Sequence, residues 1–249
     1  KIQKEGIRTI GVAGKFSVRN AAHELQIVDW VKDLFSHVAM GHTVSGGLNF
    51  PRRIFTTYLN ASLHELHTAF SDALTHILDE KNLHGPRYLL KPDGGTIDLM
   101  RSAGSPARTA QSGPAASVMG ALALDGCRGA TLVLDVGGTT TDMAVVLDGM
   151  PLLNPHGVKL GPYKTLIRSI ITHSLGTGGD SVIQVQTDGN ITVGPLRNGP
   201  PVASGGAVAT PTDALVTLGL LELGNKGAAR AAMEDLGSAL GCNAEAAAD

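Results

Sequence analysis

The feature that most constrains the fold is a strand–turn–strand signal at residues 131–150, TLVLDVGGTTTDMAVVLDGM. The continuous apolar run Leu132–Leu134 predicts a strand that is buried on both faces. Gly137 and Gly138 allow the backbone to turn tightly after that strand. A second apolar strand follows and ends at the hairpin signal Asp148-Gly149. We therefore predict a β-hairpin between buried strands near the middle of the chain.

The turn of this hairpin combines donor groups with acids at both of its ends. Its backbone N–H groups and three adjacent hydroxyls are suited to phosphate oxygens. Asp135 and Asp142 flank the turn, and their carboxylates can hold a hard cation such as Mg²⁺. The alternative to phosphate binding is an ordinary hairpin, in which the glycines only allow a tight turn. The carboxylate at each end and the apolar strand on each side favour phosphate binding.

Composition indicates a soluble globular α/β protein of one large domain or two smaller ones. The 249 residues are 43% apolar and 17% charged, and the net charge of −2 predicts neither a nucleic-acid nor a membrane partner. The two cysteines, Cys127 and Cys242, lack metal-binding spacing, which predicts a reducing, cytoplasmic setting. The longest nearly apolar run, Ala115–Leu124, is about half of the ~20 residues that a membrane span needs.

The N-terminal part shows a strand–helix–strand pattern. Strand residues around Ile10 are followed by apolar residues at helical spacing from Ala22 to Phe35, with Asn20 as the predicted helix cap. A second strand begins near His37, and this arrangement predicts two parallel strands. Glu24 is assigned to the solvated face of the helix.

A long helix is predicted from Pro51 to Asn82, with an apolar stripe along one face. Asn60 on this helix is interpreted as a buried hydrogen-bonding residue in preference to a substrate contact. His64 and His67 are three residues apart, whereas the zinc-binding HExxH pattern needs four, so a structural role is favoured for both.

Three phrases in order carry a resemblance to a known family. They are SGPAAS at residues 112–117, DVGGTTTD at residues 135–142 and GTGGDS at residues 176–181. This series resembles that of the hydantoinase/oxoprolinase family, which includes N-methylhydantoinase A-like proteins and carries SGPAGG, DxGGTSTD and GAGGGS. The resemblance implies an α/β actin-like ATPase (ribonuclease H-like) fold with two lobes and mixed sheets flanked by helices.

The same resemblance predicts how the chain is divided. Residues 1–111 are assigned to the remainder of the first lobe, and residues 112–249 to the second lobe with the phosphate hairpin. Residues 101–111 are interpreted as a hinge loop. The chain does not begin with Met, and relatives carry an earlier phosphate-binding hairpin, so we expect a fragment that lacks the N-terminal part. Alone, such a fragment is expected to bind ATP weakly or not at all and to be inactive.

The resemblance also implies a chemistry. Family members use ATP, with Mg²⁺, to phosphorylate the carbonyl oxygen of a cyclic amide such as a hydantoin, N-methylhydantoin or 5-oxoproline, which water then opens. Some relatives use the same activation to carboxylate ketones. A hydantoinase B-like subunit is the implied partner, and oligomers are compatible with the family. Two alternatives remain, a ketone-carboxylase subunit and a non-catalytic nucleotide-binding or regulatory module.

Residue roles are carried over from the matching motif positions. Asp135 and Asp142 are assigned as catalytic acids, and together with Asp180 as metal ligands. The assigned nucleotide-binding residues are Gly137, Gly138, Thr139, Thr140, Thr141, Gly176, Gly178 and Gly179.

Two departures from the family pattern bear on these assignments. Asp180 stands where relatives have a third glycine, so it either holds a cation or weakens nucleotide binding. Lys91-Pro92-Asp93 stands where relatives commonly carry Ser-Asn before a glycine pair, which is either a change at a substrate loop or a plain turn.

Overall fold

The structure is a computed structural model that describes residues 5–249. The helices, in chain order, are α1 (Ala22–Val31), α2 (Gly41–Val44), α3 (Phe50–Glu80), α4 (Leu99–Ser102), α5 (Ser112–Asp125), α6 (Pro211–Thr217), α7 (Lys226–Leu240) and α8 (Ala244–Ala248). The strands are β1 (Thr9–Val12), β2 (His37–Met40), β3 (Tyr88–Leu90), β4 (Thr96–Asp98), β5 (Ala130–Val136), β6 (Thr141–Leu147), β7 (Met150–Pro151), β8 (Lys159–Leu160), β9 (Tyr163–Lys164), β10 (Thr172–Leu175), β11 (Ser181–Val185) and β12 (Ile191–Arg197). Short 3-10 helices cover Pro106–Thr109 and Val202–Ser204.

The chain divides into two compact units. Unit 1 contains the residues up to Thr131 together with Val146–Ile171, and unit 2 contains Leu132–Val145 and Thr172–Asp249. These units are defined by packing within this chain, whereas the boundary at residue 112 concerns the lobes of the family fold and stays a prediction. No helix among the described residues is both long and apolar enough to cross a bilayer.

The predicted strand–helix–strand pattern is confirmed in unit 1. Strands β1 and β2 pair in parallel, with Thr9 opposite His37 and Val12 opposite Met40. The predicted cap is displaced by one residue, because the N-cap position is Ala21, which makes no side-chain cap hydrogen bond. Asn20, one residue earlier, accepts a hydrogen bond of 3.0 Å from the Ala22 N–H. Helix α1 ends at Val31, four residues earlier than the apolar pattern predicts.

The assignment of Glu24 to solvent is wrong, because its side chain is only 1% exposed. One carboxylate oxygen accepts from the Gly14 N–H at 2.6 Å, and the other accepts from the His42 N–H at 3.0 Å and lies 2.6 Å from His42 Nδ1. Burial alone raises the pKa of Glu24, but hydrogen bonds from Gly14, Ser17 and His42 outweigh it and hold the pKa below its ordinary value. Glu24 thus fastens the segments that follow β1 and β2 to helix α1.

The long helix is confirmed as α3, and Asn49 caps it by accepting from the Arg52 N–H at 3.2 Å. Asn60 is buried, as predicted. Its Nδ2 donates to Gly104 O at 3.2 Å and its Oδ1 accepts from the Ala107 N–H at 3.3 Å. The segment that the sequence presents as a hinge loop is therefore partly helical and fixed to α3.

The histidines of α3 also have structural partners. His64 Nδ1 lies 3.1 Å from Ala103 O, and His67 Nε2 lies 2.7 Å from Ser102 Oγ. The ring of His37 stacks on that of His64 with centroids 3.6 Å apart. Burial, and after it the proximity of His64, lowers the pKa of both His37 and His67.

The central hairpin is confirmed, but the burial of its first strand is not. The sheet has the order β10-β6-β5, with β7 also paired to β6, so among residues 5–249 β5 lies at an edge of the sheet. Leu132, Leu134 and Val136 are 59%, 54% and 67% exposed, whereas Thr131 and Val133, which alternate with the first two, are half-buried. A continuous apolar run therefore marks the strand correctly but does not reveal how many of its faces are covered.

A second hairpin and a capped helix complete unit 2. Strands β11 and β12 are antiparallel, with Ser181 opposite Arg197. Helix α6 begins with a capping box between Thr210 and Asp213, and the buried Asp213 carboxylate also accepts from the Ala203 N–H at 2.7 Å. Ala203 packs with Val216 and Ala229 in the core of this unit.

Candidate phosphate-binding hairpin

The turn between β5 and β6 is closed by its own backbone. The Gly137 N–H donates to Thr140 O at 2.9 Å, while Thr141 begins the next strand. Gly138 and Thr139 lie at the tip, and the residues from 137 to 140 are exposed. The predicted phosphate-binding turn is thus a defined surface feature of unit 2.

The glycine loop before β11 is bonded to this turn. The Gly179 N–H donates to Gly137 O at 2.9 Å, and the Asp180 N–H donates to Gly138 O at 2.7 Å. The Thr141 hydroxyl donates to Thr177 O at 2.7 Å. The structure therefore brings together the DVGGTTTD and GTGGDS motifs, which are more than thirty residues apart in the sequence.

These bonds fix the direction of the turn's donors. The N–H and C=O of a trans peptide point in opposite directions. Because the carbonyls of Gly137 and Gly138 face the glycine loop, the N–H groups of Gly138 and Thr139 point away from it. No backbone carbonyl among residues 5–249 accepts from these two N–H groups. Two neighbouring donors on one side of a turn suit an anion.

The glycines allow the two loops to approach. A Cβ on Gly178 would lie 2.5 Å from Gly137 O, and a Cβ on Gly138 would lie 2.7 Å from Asp180 Oδ2. The Gly178 N–H donates to Ser181 Oγ at 2.8 Å, so neither it nor the Gly179 N–H is available to a ligand. Gly176 lies against Pro195, where a Cβ would be 2.9 Å from the proline Cβ. Ser181 is the first residue of strand β11.

Arg197 joins the site, and the sequence reasoning missed it. Its Nη2 donates to Asp180 Oδ2 at 2.6 Å and its Nη1 donates to Thr139 Oγ1 at 3.1 Å. The cation beside Asp180 in this structure is therefore a guanidinium. The available signal was the Asp188-Gly189-Asn190 turn, because the antiparallel register around it sets Ser181 opposite Arg197.

The flanking acids differ in their surroundings. Asp142 is half-buried and accepts a hydrogen bond from the Ser174 hydroxyl, whereas Asp135 is exposed near the end of β5. Within residues 5–249, no three His, Cys, Asp or Glu side chains are grouped as a metal cage. Mg²⁺ usually keeps several waters and uses only one or two carboxylates. The chemistry of the two flanking acids is therefore compatible with this ion.

Other features singled out by the sequence belong to unit 1. The SGPAAS phrase begins helix α5, whose first residue is Ser112. A cavity of about 560 Å³, lined mainly by apolar side chains that include Leu66 and Phe70, also lies in this unit. The residues that line this cavity include none that are assigned to nucleotide binding, metal binding or catalysis.

Comparison with known proteins gives a consistent result. The sequence model of the hydantoinase/oxoprolinase family matches residues 53–249. The chain is 28% identical over 235 residues to the acetophenone carboxylase gamma subunit of Aromatoleum aromaticum, covering 88% of this chain and 32% of the relative. It is 26% identical over 230 residues to the caprolactamase subunit alpha of Pseudomonas jessenii, covering 88% of this chain and 33% of the relative.

Solved structures show the same fold. The ATP-dependent caprolactamase from Pseudomonas jessenii matches 99% of this chain and 38% of its own, with a TM-score of 0.74 and 24% identity. Nucleotide-free acetone carboxylase matches 96% of this chain and 37% of its own, with a TM-score of 0.69 and 21% identity. The predicted α/β actin-like ATPase fold is confirmed. The chain spans about a third of the length of these relatives.

Proposed function

The chain belongs to the hydantoinase/oxoprolinase family, and on that premise we propose that it forms the phosphate-binding part of an ATP-dependent enzyme that hydrolyses a cyclic amide. The observation that carries the proposal is the turn at Gly138 and Thr139, whose N–H groups are held outward by the glycine loop. The caprolactamase relative supports an amide substrate, since caprolactam is itself a cyclic amide. The hydantoin, N-methylhydantoin and 5-oxoproline rings are the substrates that we test first.

In this proposal the chain's own groups bind and orient the nucleotide. ATP supplies the phosphoryl group that activates a carbonyl oxygen, and Mg²⁺ offsets the charge of the phosphates. The N–H groups of Gly138 and Thr139 and the hydroxyls of Thr139 and Thr140 bind phosphate oxygens. Asp135 and Asp142 hold the metal or position water.

The remaining assigned residues support the turn. Gly137 and Thr141 close and brace it, since the Gly137 N–H and the Thr141 hydroxyl are both engaged. The Gly179 N–H donates to Gly137 O, and the missing Cβ of Gly178 lets the loop approach that carbonyl. Gly176 in the same way allows close contact with Pro195. The hydrogen bond from Arg197 to Asp180 supports a role for Asp180 in positioning the guanidinium, and its assignment as a metal ligand stays a prediction.

Ketone carboxylation is the second candidate, and the acetophenone carboxylase relative favours it. It uses the same turn and differs in the molecule that is activated. A non-catalytic nucleotide-binding module is the third, and Asp180 beside the turn favours it, since a carboxylate opposes polyphosphate. Arg197 reduces the weight of that argument because it pairs with Asp180.

The proposal extends to partners and compartment. The two named relatives are subunits of enzymes, which supports a hydantoinase B-like partner for this chain. Cys127 and Cys242 are both free thiols, which supports the proposed reducing, cytoplasmic setting. Without such a partner and the rest of the two-lobed site, we expect this chain to bind ATP weakly and to turn nothing over.

The test is phosphate release by the whole protein with its co-purified subunits. Mg-ATP is supplied with hydantoin, N-methylhydantoin, 5-oxoproline or caprolactam, and in parallel with acetone or acetophenone plus bicarbonate. Phosphate release that requires a cyclic amide supports the amide hydrolase. Release that requires a ketone and bicarbonate establishes the carboxylase instead, and ATP binding without turnover on any substrate establishes the module.

A matched pair of variants ties the outcome to the turn. Thr139→Ala removes a hydroxyl at the proposed phosphate site, whereas Thr187→Ala removes an exposed hydroxyl from the turn between β11 and β12. We expect the first to lower the ATP-dependent rate and the second to leave it unchanged. Equal rates for both variants would contradict the assigned site.

A further inference from the structure

Unit 1 contains a polar cavity that the nucleotide proposal does not use. Its volume is about 250 Å³, and its wall includes Ser45, Lys91, Asp93, Arg108 and Arg168. This volume lies below the range of about 300–1,000 Å³ that is typical of sites for drug-sized ligands. The cavity therefore suits a ligand much smaller than a nucleotide.

One wall of the cavity is a closed turn with an internal ion pair. The Lys91 N–H donates to Gly95 O at 2.7 Å, and the Gly95 N–H donates to Asp93 Oδ1 at 3.1 Å. Lys91 Nζ lies 3.2 Å from the same carboxylate oxygen. The single acid of the cavity wall is thus already satisfied by a lysine and a backbone donor.

The two arginines have no comparable partner. Arg108 Nη2 donates to Thr43 O at 3.0 Å, which holds the guanidinium in place while leaving its charge uncompensated. Neither Arg108 nor Arg168 pairs with a carboxylate in the part of the chain that the structure describes. Three cations face one acid, so the wall carries an excess of two positive charges.

The backbone around these charges is well fixed. The Ile170 N–H donates to Pro92 O at 2.7 Å, which joins the turn to the segment that carries Arg168. Pro92 and Ile167, which also line the cavity, are buried. A cationic cavity on a rigid wall needs little reorganisation to bind an anion.

We propose that this cavity binds a small planar oxyanion, either bicarbonate or the carboxylate of an organic acid. A guanidinium presents parallel N–H groups that match the two oxygens of such a group, and a lysine adds a point charge. The hydroxyl of Ser45 supplies a further polar contact on the wall. The proposal stands on the unpaired arginines and does not depend on the function proposed for the turn in unit 2.

The experiment titrates the full chain with bicarbonate, acetate or phosphate at constant ionic strength, followed by calorimetry and by NMR shifts. Arg168→Gln removes an unpaired charge and is expected to weaken binding about tenfold, since a charged hydrogen bond commonly contributes that much. Asp93→Asn removes the opposing acid while keeping an acceptor for the Gly95 N–H, and is expected to tighten binding. Arg128→Gln, an exposed arginine outside the cavity wall, is the control and is expected to change nothing.

Each outcome has a defined meaning. Saturable binding of bicarbonate alone supports the inorganic anion, and binding of acetate alone supports an organic carboxylate, provided that the variants shift as expected. A gain in anion affinity with Asp93→Asn cannot arise from misfolding. The proposal can therefore be tested even if Arg168→Gln is unstable. The proposal is overturned by a lack of binding, by binding of phosphate alone, or by affinities that do not respond to Arg168→Gln and Asp93→Asn.

Discussion

Arg197 Nη2 lies 2.6 Å from Asp180 Oδ2, while Nη1 of the same guanidinium lies 3.1 Å from the hydroxyl oxygen of Thr139. The acid that departs from the family's glycine is therefore accompanied by a cation, and the pair is nearly neutral at the edge of the turn. A polyphosphate would meet the guanidinium and the carboxylate together. Neutralising the guanidinium and neutralising the carboxylate are therefore expected to change the affinity for ATP in opposite directions.

We predict that Arg197→Gln weakens ATP binding by about tenfold, because a charged hydrogen bond contributes about 1.5–3 kcal/mol. Asp180→Asn is expected to strengthen binding, since it leaves one uncompensated positive charge beside the turn. Affinities of the whole protein for Mg-ATP, measured by calorimetry at low and high salt, check both. Weaker binding by both variants would show that the ion pair serves only to hold the loop.

Gly178→Ala is expected to destabilise the protein by about 1–3 kcal/mol, as overpacking in a rigid site does. The added Cβ would lie 2.5 Å from Gly137 O, a backbone atom that cannot rotate away. Gly120→Ala is the matched control, because nothing lies within 4 Å of its added Cβ in helix α5. That change is expected to stabilise by about 0.5–1 kcal/mol. Urea denaturation measures both, and equal effects would refute the close packing of the two loops.

Glu24→Gln is expected to lower the free energy of unfolding by about 1–3 kcal/mol. The amide has one acceptor oxygen in place of two, so either the Gly14 N–H or the His42 N–H is left buried without an acceptor. Glu80→Gln is the control, since that side chain is 65% exposed and should change stability by less than about 0.5 kcal/mol. The free energy of unfolding from urea titration at neutral pH compares them. If Glu24→Gln leaves the free energy of unfolding unchanged, the carboxylate does not fasten the segments after β1 and β2.

Stability is predicted to fall in two steps as the pH is lowered. The folded-state pKa values of His37 and His67 are lowered, so their contribution is complete above the unfolded value of about 6.5 and is lost as the pH falls below it. The pKa of Glu24 is also lowered, so its contribution is lost at more acidic pH, below the unfolded value of about 4.3.

Urea midpoints measured from pH 8 to pH 3 check these two steps. His67→Gln, which keeps a polar tip near Ser102, should shrink the first step and leave the second. Glu24→Gln should do the reverse. A single step that neither variant alters would contradict the assignment of these groups.

Local patterns predicted most of the elements that form from neighbouring residues. The parallel pair β1 and β2 and the long helix α3 both follow from the spacing of apolar residues. Asn60 was also placed correctly, because an amide on the inner face of a long helix needs buried partners.

The misses concern groups whose partners lie elsewhere in the chain. Glu24 looks like a surface residue until Gly14 and His42 are found around it. Arg197 has no motif of its own, and only the register of β11 and β12 brings it to Asp180. Burial of β5 could not be predicted because edge and central strands share the same apolar run. The assigned roles of Asp135 and Asp142 stay predictions.

The hydrogen bonds that join the phosphate turn to the glycine loop continue beyond it. Gly179 accepts from the Thr212 N–H at 3.0 Å, and Thr212 lies in the first turn of helix α6. A ligand that shifts the hairpin tip would have to drag this helix with it or break the chain of bonds. The start of α6 is therefore a natural place for a reporter label, where occupancy of the turn could be read from a distance.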